Sequence, residues 1–136
     1  MNMELTIKHL GDVKFEITSG KHTVLCDQPE SNGGKDEGMT PPDFFLASLG
    51  SCAAFYAVAY LKKKGLSREG VAVRITAGKA SAPARLDNFK IKVQIPFALS
   101  EADRIGVDQA VHHCLIHNTL LHPPTIEIEL QTPVTA

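Results

Sequence analysis

The chain has 136 residues, with 14 Lys and Arg against 15 Asp and Glu, and its length fits one domain spanning residues 1–136. A net charge of -1 gives no electrostatic case for nucleic acid or an anionic membrane surface as a partner. Three cysteines do not make the disulfide framework of a small secreted protein, and the odd count leaves at least one thiol unpaired. Met1 to Leu5 carry neither a basic stretch nor the start of an apolar run, so no secretory signal is read there. The expected location is the reducing cytoplasm, where paired cysteines serve catalysis or redox chemistry more often than structure.

The first third alternates in short runs. Leu5-Thr6-Ile7-Lys8, Val13-Lys14-Phe15-Glu16-Ile17 and Thr23-Val24-Leu25-Cys26 read as strands, separated by turns at Gly11-Asp12 and Ser19-Gly20. Cys26 alternates with Val24 and reads as a core or edge residue. The polar segment Pro29 to Gly38, with Asn32-Gly33-Gly34, reads as a loop and a mobile cover for a site.

Thr40-Pro41-Pro42-Asp43 is a strong helix start. Thr40 caps, Pro41 suits the first helical position, and Asp43 completes an acidic capping box facing the positive helix end. The helix is expected from Pro41 to Lys64, with Lys62 to Lys64 at its cationic end and Gly65 as the stop. Phe44 to Leu61 holds no charged residue, which superficially resembles a membrane span. Its Ala, Gly and Ser content, and strands elsewhere that need something to pack on, favour a central core helix instead.

Val71 to Thr76 and Phe89 to Ile95 read as two further strands, with Gly78 to Asn88 as a turn or long hairpin loop between them. Ser100-Glu101-Ala102-Asp103 signals a second helix running through about His117, with Ala102, Ile105, Ala110, Val111 and Cys114 at its apolar positions. After Pro123-Pro124, Thr125 to Leu130 alternates as a last strand. The order βββ-α-ββ-α-β describes an α+β domain with a mainly antiparallel sheet.

Three groups of residues could carry chemistry. Cys52 lies about three turns into its helix, beyond the reach of the helix dipole, so any thiolate stabilisation must come from tertiary neighbours or a packed helix end. Its neighbours Gly50, Ser51, Ala53 and Ala54 are small and permit close approach. Cys114 is accompanied by His112, His113 and His117, with His113 and His117 placed on one helical face. Thiolate and imidazole suit a transition metal, although no paired-cysteine or His-Glu-x-x-His pattern accompanies them. Free cysteines are also common core residues, and that reading stays open for both thiols. Asp43 serves the cap and is also a candidate orienting carboxylate.

Gly38-Met39-Thr40-Pro41-Pro42-Asp43-Phe44-Phe45-Leu46-Ala47-Ser48-Leu49-Gly50-Ser51-Cys52 resembles a segment of the OsmC/Ohr superfamily, and matches its OsmC-like branch. Cys114 with Asn118-Thr119-Leu120 resembles the second motif of that family. The resemblance implies an intertwined homodimer, with antiparallel sheets from both chains wrapped around two central helices and active sites at the interface. It implies a thiol-dependent peroxidase acting on organic hydroperoxides in oxidative or osmotic stress defence. Cys52 would be the peroxidatic nucleophile and Cys114 the resolving thiol. An external dithiol, typically dihydrolipoamide, would be the reductant, with no bound cofactor, metal, nucleic acid or membrane. The alternative is a non-peroxidase OsmC-like protein binding a small apolar ligand in the dimer-interface pocket.

The chain departs from the peroxidase pattern in places. Pro42 stands where strict hydroperoxide members carry an acid, and Leu115 and His117 replace the usual Pro and Ser. No Arg precedes Arg68, so Lys21, Lys35 or a distant Arg85 would have to supply the cation those enzymes hold near the thiolate.

Overall fold

Two antiparallel sheets and three helices position the thiols. The computed structural model describes residues 2–135. Strands β1 (Thr6–Gly11), β2 (Lys14–Ser19) and β3 (His22–Cys26) form a meander in the order β1-β2-β3, with Ile7 opposite Ile17 and Phe15 opposite Cys26. Period-two alternation carries Ile7, Phe15 and Ile17 to one face, as the sequence pattern requires.

Strands β4 (Ala72–Ala80) and β5 (Arg85–Gln94) pair as a separate hairpin. Its tip is shorter than the expected Gly78 to Asn88 loop. An irregularity between Thr76 and Gly78 shifts the register, and pairing then continues through Gly78–Asp87, Lys79–Leu86 and Ala80–Arg85. Such a bulge keeps a ladder going after the simple alternation fails, which is why the sequence pattern stops early there.

Helix α1 (Pro41–Lys63) starts as expected. The Thr40 hydroxyl accepts from the Asp43 backbone N–H, and the Asp43 carboxylate accepts from the Thr40 N–H at 3.0 Å. Gly65 adopts φ +69° beyond the helix end, a conformation that costs glycine little. Leu49, Gly50, Ala53, Ala57 and Leu61 form its buried stripe. Gly50 lies against β4, where an added Cβ would come within 3.2 Å of Ile75 Cγ2. By length and composition α1 could cross a membrane, but it packs against β4, β5 and the two later helices as the central helix of the fold.

The expected second helix is broken. Helix α2 (Glu101–Val111) ends before His112, and α3 (Leu115–Leu121) begins after Cys114. Cys114 is therefore the N-cap of α3 rather than an interior helical residue, and its Sγ accepts from the His117 N–H at 3.4 Å. His113 and His117 accordingly do not share one helical face. The apolar positions expected for this helix are also revised: Ala102 and Ile105 are exposed, and Val107 is the buried residue. Val107 joins Ala57 and Leu61 at the core centre, surrounded by Tyr60, Leu66, Val93 and Ile95 among others.

The segment from Pro29 to Gly38 is tied down rather than free to act as a cover. Asp27 is 1% exposed, and its carboxylate accepts from the N–H groups of Gln28, Lys35 and Glu37 at 2.8, 3.2 and 3.1 Å. A buried carboxylate needs such partners, and the loop folds around it to supply them.

The last expected strand, Thr125 to Leu130, forms no strand within the single chain. Ile126, Ile128 and Leu130 are 80%, 93% and 86% exposed. A strand exists only as part of a ladder, and among the described residues no strand edge pairs with that segment.

Candidate active site

Cys52 projects from the middle of α1 toward the start of α3. There its thiol lies within hydrogen-bonding reach of the Cys114 thiol and of the backbone N–H groups of Ile116 and Leu115. Helix α3 is short, but its first N–H groups have no intrahelical acceptors and are free to serve an outside group. The break after His113 makes this possible, because a continuous helix would have hidden those donors in its own ladder.

The two thiols differ in character. Burial works against ionisation of Cys52, but the Cys114 thiol and the Ile116 and Leu115 N–H groups outweigh it and hold its pKa below the ordinary thiol value. Burial pushes Cys114 up, and the neighbouring Cys52 thiol pushes the same way. Of the two neighbouring thiols, Cys52 is therefore the one whose ionisation its surroundings favour. Cys52 is half-buried, Cys114 is 1% exposed, and neither is in a disulfide. The thiol open to an incoming molecule is the one favoured as thiolate. An open hollow of about 570 Å³, lined by Tyr56, Leu115, Asn118 and Thr119 among others, begins one helical turn beyond Cys52.

The other residues singled out by sequence fall elsewhere. Asp43 lies nine residues and about 13 Å along the helix from Cys52, and its hydrogen bonds are with Thr40. Its carboxyl is held below the usual range by the Thr40 N–H first and the Thr40 hydroxyl second. Lys35 pairs with Asp12 at 3.8 Å, and Lys21 is exposed at the β2–β3 turn. Arg85 donates to the Ser81 and Pro83 carbonyls and faces Asp87 at 3.8 Å, which fixes it at the hairpin tip. The groups that stabilise the Cys52 thiolate are hydrogen-bond donors, with no Lys or Arg among them. His112 and His117 stack loosely, ring centroids 6.3 Å apart. Among the described residues no three His, Cys, Asp or Glu side chains converge on a common point, so the His/Cys metal reading lacks a donor set. Cys26 is buried at the end of β3, where burial followed by the Asp27 charge raises its pKa and makes it a poor nucleophile.

Sequence reasoning did not find the Leu115 and Ile116 N–H donors, because backbone groups carry no residue-type signal. It also passed over Asp27, for which an acid directly after an apolar strand and before a Gly-rich loop was the available clue.

The OsmC-like protein family model matches residues 34–129, a span that includes both thiols and well over half of the chain. The chain belongs to the OsmC-like family. Solved structures share the fold of this OsmC-like chain at low identity. A candidate osmotic-stress-induced and detoxification-response protein from Psychrobacter arcticus 273-4 superposes with a TM-score of 0.79 at 19% identity, covering 88% of this chain and 89% of that one. An OsmC-like protein from Mycoplasma pneumoniae gives 0.71 at 19% identity, covering 90% and 89%. An organic hydroperoxide resistance protein OsmC from Legionella pneumophila gives 0.59 at 16% identity, covering 88% and 89%. At these identities the likeness establishes the fold. No curated protein sequence matches significantly.

Proposed function

We propose that this OsmC-like chain is a thiol-dependent peroxidase that reduces organic hydroperoxides in the cytoplasm, in defence against oxidative or osmotic stress. One observation carries the reading: the more accessible thiol, Cys52, is the one whose pKa is lowered, and a second, buried thiol, Cys114, lies beside it. The name of the Legionella pneumophila relative, an organic hydroperoxide resistance protein, points to the same substrate class.

In this reading the Cys52 thiolate attacks the distal oxygen of a hydroperoxide. The O–O bond breaks, the alkoxide leaves and takes a proton as the alcohol, and Cys52 becomes a sulfenic acid. Cys114 then condenses with it, water leaves, and a Cys52–Cys114 disulfide forms. A small external dithiol of the dihydrolipoamide type reduces that disulfide by thiol–disulfide exchange and is itself oxidised. The N–H donors of Leu115 and Ile116 stand in for the missing N-terminal Arg, stabilising the thiolate by hydrogen bonding in place of an ion pair. Asp43 supports the reaction only through the helix it caps.

The active species in this proposal is a homodimer. Its support is the apolar surface the single chain leaves uncovered: Phe55 on α1 is 65% exposed, Ile7 on β1 is 57% exposed, and the alternating segment from Thr125 to Leu130 has no strand beside it. Uncovered apolar surface on this scale marks an interaction site.

The test is turnover. Reduced protein with an excess of dihydrolipoamide should consume cumene hydroperoxide catalytically, and Cys52→Ser should abolish consumption. Consumption equal to that of Cys52→Ser would overturn the proposal.

A further inference from the structure

Tyr56 brings to the hollow beside Cys52 a hydroxyl that the fold does not use. The other tyrosine of the chain, Tyr60, donates its hydroxyl to Asp103 at 3.0 Å. Tyr56 makes no such bond among the described residues, although it is half-buried and its ring meets Phe55 edge-on, centroids 5.3 Å apart. No buried side-chain oxygen or nitrogen among those residues lacks a partner, so the unpaired Tyr56 oxygen is accessible from outside.

Its place relative to the thiol follows from helix geometry. Tyr56 is four residues after Cys52 and shares its face of α1. Helical side chains lean toward the helix N-terminus and cover the turn before their own Cα, so Tyr56 lies over the turn that carries Cys52. Leu115 closes the other side, since it lines the same hollow and its N–H is within reach of the Cys52 thiol. A molecule that meets Cys52 from this hollow passes between Leu115 and the phenol.

The remaining polar groups of the wall are less suited to act there. The Thr119 hydroxyl donates to the Leu115 carbonyl at 2.9 Å, and His122 Nδ1 lies 3.1 Å from the Asn118 carbonyl. The His113 and Asn118 side chains line the hollow from exposed positions, without the packed ring that fixes Tyr56.

The chemistry has a matching vacancy. As the Cys52 sulfur bonds to the distal oxygen, the O–O bond breaks and its electron pair goes to the proximal oxygen, which leaves as an alkoxide. The Leu115 and Ile116 N–H groups serve the thiolate and not this leaving oxygen.

We propose that the Tyr56 hydroxyl donates a hydrogen bond to the leaving oxygen of the hydroperoxide as the O–O bond breaks. The alkoxide then takes its proton from water, and the phenol ends the step unchanged. This role rests on the peroxidase reading and adds to it the residue that serves the leaving group. A donor aimed at charge that develops only in the transition state raises the rate of that step.

The test compares two oxidants in single turnover, with loss of the Cys52 thiol followed by quenching and peptide mass spectrometry. Cumene hydroperoxide expels a basic alkoxide, whereas peracetic acid expels a carboxylate, which gains little from a donor. Tyr56→Phe removes a hydroxyl that holds nothing in the fold. It should slow the reaction with cumene hydroperoxide by about tenfold, less than the roughly hundredfold loss at a fully enclosed donor because this hollow is open to water. Reaction with peracetic acid, and alkylation by iodoacetamide, should stay within about twofold of the wild type. Unchanged reaction with cumene hydroperoxide, or equal slowing with both oxidants, would overturn the role of Tyr56 while a fast wild type upholds the peroxidase reading. A wild type that reacts with cumene hydroperoxide no faster than free cysteine would instead refute that reading, and the role of Tyr56 would fall with it.

Discussion

Replacing Gly106 by Ala tests whether the contact between α1 and α2 is what delivers Cys114 to Cys52. Gly106 lies in α2 directly against Tyr60 of α1, and a Cβ built there would overlap the Tyr60 ring at Oη, Cζ and Cε2. Tyr60 has little freedom to withdraw, because its hydroxyl donates to Asp103 at 3.0 Å and its ring packs on the core around Ala57, Leu61 and Val107. Overpacking of this kind costs about 1–3 kcal/mol, and conflict with three ring atoms places the cost near the upper end. Alanine returns about 1 kcal/mol of helix propensity over glycine, leaving a net destabilisation of about 2 kcal/mol. In a Tyr60→Ala background the ring is gone, so the same substitution should stabilise by up to about 1 kcal/mol. Urea unfolding of the four proteins in the cycle measures both values. The reasoning fails if Gly106→Ala has the same sign in both backgrounds. The yield of Cys52–Cys114 disulfide should fall in Gly106→Ala, since α2 leads directly into the Cys114 turn.

Three further outcomes follow from the same geometry. Thr40→Ala removes the hydroxyl that accepts from the Asp43 N–H and should cost about 1 kcal/mol in denaturant unfolding. Asp43→Asn should lower stability while leaving the rate of Cys52 alkylation unchanged, whereas a slowed thiol would mean the carboxylate orients the site. Asp27 has a pKa lowered first by the Gln28 N–H, against burial, and further by Glu37 and Lys35. Its folded value lies below the unfolded value of about 3.9, so its contribution is whole above about pH 5 and drains away as pH falls. Asp27→Asn should therefore flatten the acid side of the stability–pH curve, and an unchanged acid limb would remove Asp27 from the account. Alkylation followed against pH by peptide mass spectrometry should label Cys52 at lower pH than Cys114 or Cys26. Simultaneous labelling of the three would show that the hydrogen bonds to Cys52 do not favour its thiolate.

The helix start at Thr40, its stop at Gly65 and the five paired strands were legible because each rests on local chemistry: a cap, a glycine conformation, an alternation. Other features were not legible. The break at His112 to Cys114 carries no glycine or proline, and cysteine is not among the preferred N-cap residues, so the apolar spacing ran straight through it. The hairpin continued past Gly78 because tertiary pairing carried it over a bulge that alternation could not anticipate. The loop after Asp27 looked mobile by composition, yet a single buried carboxylate organises it. The same division holds at the site. Flanking motifs nominated both cysteines, and the expectation that Cys52 would need a packed helix end was met by α3. Which thiol ionises, and which backbone groups make it do so, depends on a contact between residues far apart in the chain, and no local pattern encodes that.

The central claim is that Cys52 and Cys114 act as one redox pair. Reduced protein treated with one equivalent of cumene hydroperoxide, quenched by alkylation and mapped by mass spectrometry, tests it most directly. The account predicts a peptide pair joined by a Cys52–Cys114 disulfide with Cys26 alkylated, and in Cys114→Ser a sulfenic acid trapped on Cys52. Three alkylated thiols, or oxidation centred on Cys26, would contradict it.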